Sequence, residues 1–542
     1  MKHNRIWWQT GVIYQIYPRS FLDTNGDGTG DLRGITEKLD YLAWLGVDVL
    51  WISPIFLSPM VDFGYDVADY TKIDPLFGTL ADFDALLNAA HEKDIKILLD
   101  FVPNHTSDQH EWFLEARASR DNPKRDWYIW RDAKADGSPP NNWMSYFGGR
   151  AWTFDEHTGQ YYLHNFAPEQ PELNWRNPDV EAAIHDQLRF WLERGVDGFR
   201  VDVIDRIIKD EQFRDNPQNP NWKTGDEPSW RYRRVYSEQR PEVMPFFRRL
   251  RKFMDSYEDR VIIGETAYDA PLEKLVTYYG DAVGETGRGD GIHMVYNFNL
   301  IETVWQAEQI KAHVDFYEGL LPDYGAPNYV LGNHDQPRLA SRIGAMQARV
   351  GAMMLLTLRG APTIYYGDEI GMTNVEIPPE RVQDPQAKGT NGFNRDECRT
   401  PMQWDDLPNA GFTDEGVQPW LPVAEDAGAV NVMTEQEYSQ SMLNLYQRLL
   451  TLRRETPAIR EGSYVPLSTE LGVFAYLRQG GDETYLIALN FTGAVRTLHF
   501  DDFDSGYILF STLMDGYRKP DFSARLSVLD LRPDEGIIVR LA

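Results

Sequence analysis

The sequence predicts an α/β protein built on a (β/α)₈ TIM barrel, with a small domain inserted after strand 3 and an antiparallel β domain at the C-terminus. Three observations carry that prediction. Short apolar runs alternate with helical patterns through most of the chain. The alternation breaks once, over 104–176, where Trp, Tyr, Asn, Gly and Pro dominate and no long helical period survives. From about 465 onward the pattern changes to strands of period two.

In order, the first strand is "VIYQIYP" (12–18). Leu32, Ile35, Leu39, Leu42 and Leu45 then mark an amphipathic helix that Gly46 closes. "VDVLWISP" (47–54) is the second strand, and Thr79 with Asp82 opens a helix carrying Phe83, Leu86, Leu87 and Ala90. "IKILLDFV" (95–102) is the third. After the irregular segment, Asn177 caps a helix with Pro178 at its first position. Val180, Ile184, Leu188 and Leu192 form its buried face, and Gly195 stops it. Strands follow at "GFRVDV" (198–203), "VIIGET" (261–266), "HMVYNFN" (293–299), "NYVLGNHD" (328–335) and "TIYYGDE" (363–369). The expected division is therefore 1–103 with 177–464 for the barrel, 104–176 for the insert and 465–542 for the β domain. "RRETPAIREGSYVP", after a helix around 438–454, reads as a linker.

Composition narrows the function. Of 542 residues, 42 % are hydrophobic and 13 % aromatic, enough for a large core. A formal charge of −29 repels phosphate backbones and anionic membranes, which argues against nucleic-acid and membrane partners. One cysteine, Cys398, excludes an intramolecular disulfide. The opening "MKHNRIWWQTGVIYQIYP" lacks a signal-peptide pattern, and no run approaches the roughly 18 apolar residues of a membrane span. The chain reads as cytoplasmic.

In such a barrel, catalytic groups stand at the C-terminal ends of strands. The strand ends here supply Asn104 and His105, Arg200 and Asp202, Glu265, and His334 with Asp335. Any one of them alone could be a cap or a buried salt bridge; their agreement on one face points to a site. No HExxH or cysteine cluster marks a catalytic metal. Two carboxylates in different environments suit acetal cleavage, one attacking or stabilising an oxocarbenium-like centre while the other protonates the leaving oxygen.

"DFVPNH" (100–105), "GFRVDV" (198–203), "GET" (264–266) and "GNHD" (332–335) stand in the order of the short motifs of glycoside hydrolase family 13, the α-amylase superfamily. The chain resembles that family over nearly its whole length. The resemblance implies a retaining mechanism with Asp202 as nucleophile, Glu265 as acid/base and Asp335 as the carboxylate gripping sugar hydroxyls. It further implies that Arg200 orients Asp202, and that His105 and His334 donate to the same sugar. "QPELNW" (170–175), "VDFGYDVADY" (61–70) and "RDECRTPMQW" (395–404) are similar to the oligo-1,6-glucosidase and α-glucosidase group, with Glu172 where that group has Asp. By that likeness Tyr65 stacks on the terminal glucose, and Asp62 with Arg399 binds its far hydroxyl and seals the pocket. A sealed pocket implies exo action. Val203, after the nucleophile position, resembles the mark of α-1,6 preference, and Phe147 and Phe166 are candidate walls for the leaving sugar. The expected substrate is a short oligosaccharide or glucoside. An α-1,4-glucosidase, a transglucosylase and a sucrose isomerase use the same chemistry and stay open, as does a non-catalytic scaffold. The oligomeric state stays open between monomer and weak dimer.

"DTNGDGTGD" (23–31) carries oxygen-bearing side chains at every second position, like the opening of an EF-hand loop. Counting from Asp23, the twelfth position is Gly34, where an EF-hand needs a bidentate Glu. The resembled group binds one cation here, through side chains matching Asp23, Asn25, Asp27 and Asp31 and the backbone oxygen of Thr29. The expectation is one structural divalent cation, calcium or else magnesium, and no organic cofactor.

Overall fold

Eight parallel strands form one sheet: β1 (Ile13–Ile16), β2 (Val49–Ile52), β3 (Lys96–Phe101), β4 (Gly198–Val201), β5 (Val261–Gly264), β6 (Met294–Asn297), β7 (Asn328–Tyr329) and β8 (Thr363–Tyr365). Neighbours in sequence are neighbours in space, β8 pairs with β1, and a parallel bridge from Val330 to Thr363 joins β7 to β8. The sheet is thus a closed barrel. These strands are predominantly apolar because both of their faces are covered, one by the interior and one by helices. The computed structural model describes residues 6–283, 288–389, 393–500, 503, 505–516 and 522–542, so the first five residues of the chain start lie outside the described residues. Among the described residues no helix is long and apolar enough to cross a membrane.

The barrel interior is layered along each strand. Ile13, Val49, Trp51, Leu98, Val261 and Ile263 belong to one buried apolar cluster. Two residues further along, the same faces turn ionic: Leu98 is followed by Asp100 and Ile263 by Glu265. Arg200 and Asp202 share one face of β4 and its extension, and Asp100 and Arg200 are direct partners across β3 and β4. Period two therefore places the charges together at the C-terminal mouth.

Helix signals largely behave as the sequence predicts. Thr79 and Asp82 form a reciprocal capping box on Leu80–Glu92. Asn177 caps Pro178–Arg194, and Gly195 ends it in the left-handed conformation at φ 109°. Two expectations need correction. The single helix expected over 32–45 is two, Leu32–Glu37 and Leu39–Leu45, because Lys38 leaves helical geometry at ψ 5°. Its ammonium lies 4.2 Å from the centre of the Trp404 ring. The expected linker is folded: Pro457–Glu461 is a helix with Ala458 and Ile459 buried, and Ser463–Pro466 is the edge strand of the C-terminal sheet.

Between β3 and β4 the chain builds helix Glu111–Ala118 and a three-stranded antiparallel sheet of Trp130–Arg131, Gln160–Leu163 and Trp152–Asp155. Bridges His105–Glu172 and Tyr128–Leu173 tie its ends together above the barrel mouth. The C-terminal sheet has six strands, centred on Val473–Gly480, Glu483–Asn490 and Gly536–Leu541. It docks on helix Ala345–Thr357, where the Thr357 hydroxyl meets the Tyr476 hydroxyl at 2.6 Å.

Candidate active site

Arg200 organises the barrel mouth. It is 1 % exposed, and one guanidinium nitrogen donates to Asp100 Oδ1 at 2.7 Å and Asp202 Oδ1 at 2.6 Å. The other donates to Glu265 Oε2. Asp202 and Glu265 are each 5 % exposed. A planar fork donating to both fixes their relative orientation, as a flexible ammonium would not. The Trp51 indole and the Tyr65 hydroxyl donate to Asp100 Oδ2 at 3.1 and 2.9 Å.

The two carboxyls differ in their surroundings. Burial pushes the Glu265 carboxyl well above its ordinary range; Arg200 opposes the shift, while Asp202 and Asp335 add to it. Glu265 thus retains a proton at a pH where an ordinary carboxyl has lost it, as a general acid requires. Asp100 is also raised by burial, to about 7. Burial works against ionised Asp335, but His334 and the guanidiniums of Arg395 and Arg399 outweigh it and hold the carboxyl below its usual range. Burial pushes His334 itself down to about 3, so the guanidiniums carry this effect at neutral pH.

A second ionic group lies beside the first. Arg399 donates to Asp335 Oδ1 at 2.9 Å and to the His334 carbonyl at 2.7 Å. Arg395 donates to Asp62 at 2.9 Å, Asp384 at 2.6 Å and Asp335 at 3.2 Å. This corrects the expected pairing: Asp62 is held by Arg395, and Arg399 belongs to Asp335. The 3-10 turn Arg395–Cys398 decides which of two arginines four residues apart reaches across. Arg395 went unnoticed in the sequence although it opens the "RDECRTPMQW" match, and Asp100 although it opens "DFVPNH". A charged residue inside an otherwise apolar strand was the available signal for Asp100.

The remaining candidates surround these two groups. The Tyr65 ring stacks on His334 at 5.4 Å and 4°, and its hydroxyl lies 2.8 Å from His334 Nε2. His334 Nδ1 meets the Gln15 amide at 2.7 Å. His105 Nε2 lies 3.1 Å from the Tyr65 carbonyl and 3.2 Å from Gln170, whose amide also reaches Asp62. Phe166 lies 5.2 Å from His105, Phe147 lies 5.6 Å from Phe166, and Arg395 sits 5.0 Å from the Phe147 ring. All eleven catalytic and sugar-binding candidates therefore fall in one neighbourhood.

Two features were invisible in the sequence. Val203 has φ 38° and ψ 53°, a left-handed conformation that is an outlier for a β-branched residue and costs on the order of 1–3 kcal/mol. Beneath His105, Lys209 is 3 % exposed and donates to Asn104 Oδ1 at 2.9 Å while paired with Glu172, itself fully buried. Asn104 in turn meets His105 Nδ1 at 3.1 Å.

The 23–31 loop follows β1 and is closed by its own amides. Asp23 accepts from the Asn25, Gly26 and Gly28 N–H groups at 2.8–3.0 Å, and Asn25 from Asp27 at 3.0 Å. Asp27 accepts from Thr29 at 2.8 Å, and Asp31 from Thr24 and Gly34 at 2.8 Å. Among the described residues no three acidic, histidine or cysteine side chains converge as a metal cluster. A cation in this loop would rely on Asn25 and the Thr29 carbonyl as well as its acids.

The model of the α-amylase catalytic domain matches residues 15–462. A probable α-glucosidase of Rhizobium meliloti is 40 % identical, the match covering 92 % of this chain and 91 % of that protein. The oligo-1,6-glucosidase of Parageobacillus thermoglucosidasius is 38 % identical over 99 % of both. Among solved structures, the α-glucosyl transfer enzyme XgtA superposes with a TM-score of 0.92 at 40 % identity, covering 99 % of this chain and all of the other. With a barrel closed through eight strands and carboxylates gathered at its mouth, the chain belongs to the α-amylase family of glycoside hydrolases.

Proposed function

We propose that the protein is a retaining, exo-acting α-glucosidase that releases terminal α-linked glucose from short oligosaccharides and prefers isomaltose-like α-1,6 links. The observation that carries the reading is the Arg200 fork on Asp202 and Glu265, two carboxyls of unlike environment. Asp202 attacks the anomeric carbon while the protonated Glu265 gives its proton to the glycosidic oxygen, and the aglycone leaves. The glucosyl ester on Asp202 is then opened by water, which gives a proton to Glu265 and restores the α configuration. Arg200 holds Asp202 in place through a hydrogen bond at 2.6 Å. Asp335, with Asp62, grips the glucose hydroxyls, and the ionic group of Arg395 and Arg399 closes the pocket behind them. The relatives' activities, α-glucosidase and oligo-1,6-glucosidase, support this reading.

Asp202→Asn is expected to abolish turnover with the fold intact; near-normal hydrolysis by that variant would remove the nucleophile assignment. The kcat/KM values for isomaltose, maltose, sucrose and trehalose test the linkage, and a strong preference for maltose overturns the argument from Val203. One neighbour is an α-glucosyl transfer enzyme, which favours a second reading in which a sugar hydroxyl replaces water in the second step. Product analysis at high isomaltose concentration separates the two.

The same proposal places one divalent cation, calcium or magnesium, in the 23–31 loop on Asp23, Asn25, Asp27, Asp31 and the Thr29 carbonyl. Alternating oxygen side chains support it, and its role is to pin the loop. Chelation is expected to lower the melting temperature, with calcium restoring it; an unchanged melting curve on exhaustive chelation removes the cation.

A further inference from the structure

Glu265 lies one residue beyond the end of β5, where the strand no longer fixes the chain. β4 and its loop hold it: Arg200 and the Val203 N–H, the latter at 3.4 Å, donate to Glu265 Oε2, and the backbone is tied on both sides. The Glu265 N–H donates to the Val201 carbonyl at 2.9 Å, and the Ile204 N–H donates to the Glu265 carbonyl at 2.8 Å. The Ala267 N–H donates to Asp205 Oδ2 at 2.9 Å. Asp205 is 1 % exposed and is anchored in turn by the Gln239 N–H on its carbonyl at 2.6 Å. Two backbone features let the loops approach this closely. The left-handed turn at Val203 starts the 3-10 turn Ile204–Arg206. Gly264 faces Ile204 so tightly that a β-carbon there would lie 2.4 Å from Ile204 Cδ1.

We propose that Asp205 is a positioning residue for the acid/base: by clamping Ala267 while Ile204 holds the Glu265 carbonyl, it fixes the backbone from which the Glu265 carboxyl reaches the Arg200 fork. The proposal rests on the reading of Glu265 as acid/base. Asp205 does not touch the sugar; it acts through two residues of backbone. Among the described residues its other oxygen has no hydrogen-bond partner, and Arg206 Nε stands 3.9 Å away, so the bond to Ala267 carries the clamp.

A misdirected acid matters in proportion to the proton the leaving group needs. Isomaltose needs one, whereas fluoride departs from α-glucosyl fluoride with little help; proton transfer by a positioned acid contributes about 10²–10⁴-fold. Asp205→Ala is expected to lose about 100-fold in kcat/KM on isomaltose and less than about 5-fold on α-glucosyl fluoride. Asp205→Asn, whose amide oxygen still accepts from Ala267, is expected to stay within about 5-fold of wild type on both. Equal losses on the two substrates, no loss on either, or an Asn variant as impaired as the Ala variant overturn the clamp. If Asp205→Ala does not fold, Asp205→Glu, which displaces the clamp by one methylene, serves instead. A selective loss on isomaltose supports the proposal and an equal loss overturns it. Glu265→Gln is the control for the underlying reading: normal hydrolysis of isomaltose by that variant defeats the acid/base assignment itself and not the clamp.

Discussion

Arg395 offers the sharpest quantitative test, because sequence and structure disagree about which arginine holds Asp62. Arg395 is 6 % exposed and contacts three carboxylates. Replacing it with Met leaves them unequally supported. Asp335 keeps Arg399 at 2.9 Å, and Asp384 keeps the N–H groups of residue 395 and Gln386 at 2.8 and 3.0 Å. Among the described residues Asp62 keeps only Gln170, on its second oxygen at 3.2 Å. Truncating one member of a buried ion pair costs about 3–5 kcal/mol, and the uncompensated carboxylate here is Asp62. At an effective dielectric near 20, unit charges ~4 Å apart attract by about 4 kcal/mol. A double-mutant cycle between Asp62→Ala and Arg395→Met is therefore expected to give a coupling of about 2–3 kcal/mol. Asp62 and Arg399 make no ion pair within 4.0 Å among the described residues, and their cycle is expected below about 1 kcal/mol. The readout is glucose binding by calorimetry in an Asp202→Asn background, where about 3 kcal/mol appears as roughly 150-fold in Kd. A larger coupling to Arg399 than to Arg395 would refute the assignment.

Other expectations follow from the same geometry. Lys209→Met strands Glu172 without a counter-charge and is expected to destabilise the protein by about 3–5 kcal/mol in urea unfolding, with Glu172→Gln in the same chain restoring most of it; an undiminished midpoint in the single variant contradicts the buried pair. Burial, opposed by Arg395 and Arg399, pushes Asp62 up to about 6. Between the unfolded value, about 3.9, and that folded value the native state holds the extra proton, so the Asp62 contribution to stability falls as pH rises through this window. Sugar binding moves the opposite way: KM is expected to fall as Asp62 ionises, and Asp62→Asn to flatten that dependence. Asp335, lowered in the folded state, contributes stability above its unfolded value that is lost as pH falls below about 4; Asp335→Asn removes this loss from an acid-denaturation curve.

Much of the fold is legible in the sequence for one physical reason. Strands covered on both faces are predominantly apolar, so most of β1 to β8 appear as short apolar runs. The charged residues Asp100 and Glu265 then stand out against the apolar residues that precede them on the same faces, Leu98 and Ile263. What stays hidden depends on contacts between distant segments. Lys38 has an ordinary helical sequence context, and nothing local announces the break there or the contact of its ammonium with the distant Trp404 ring. The Pro and charges of "RRETPAIREGSYVP" imitate a linker, yet Pro457 is a helix start and the Arg453 side chain is buried on three barrel carbonyls. The choice between Arg395 and Arg399 turns on one short 3-10 segment, which no periodicity encodes.

The pocket draws on residues as far apart as Asp62 and Arg395, and the barrel that brings them together closes only when β8 meets β1 and the end of β7. A chain emerging from the ribosome accordingly carries Asp202 and Glu265 long before it carries Arg395 and Arg399. Catalysis is then expected late in biogenesis, with the first turnover following ring closure. Cutting the chain between β7 and β8 is expected to yield two fragments, each inert alone, whose reassociation the appearance of hydrolysis would report.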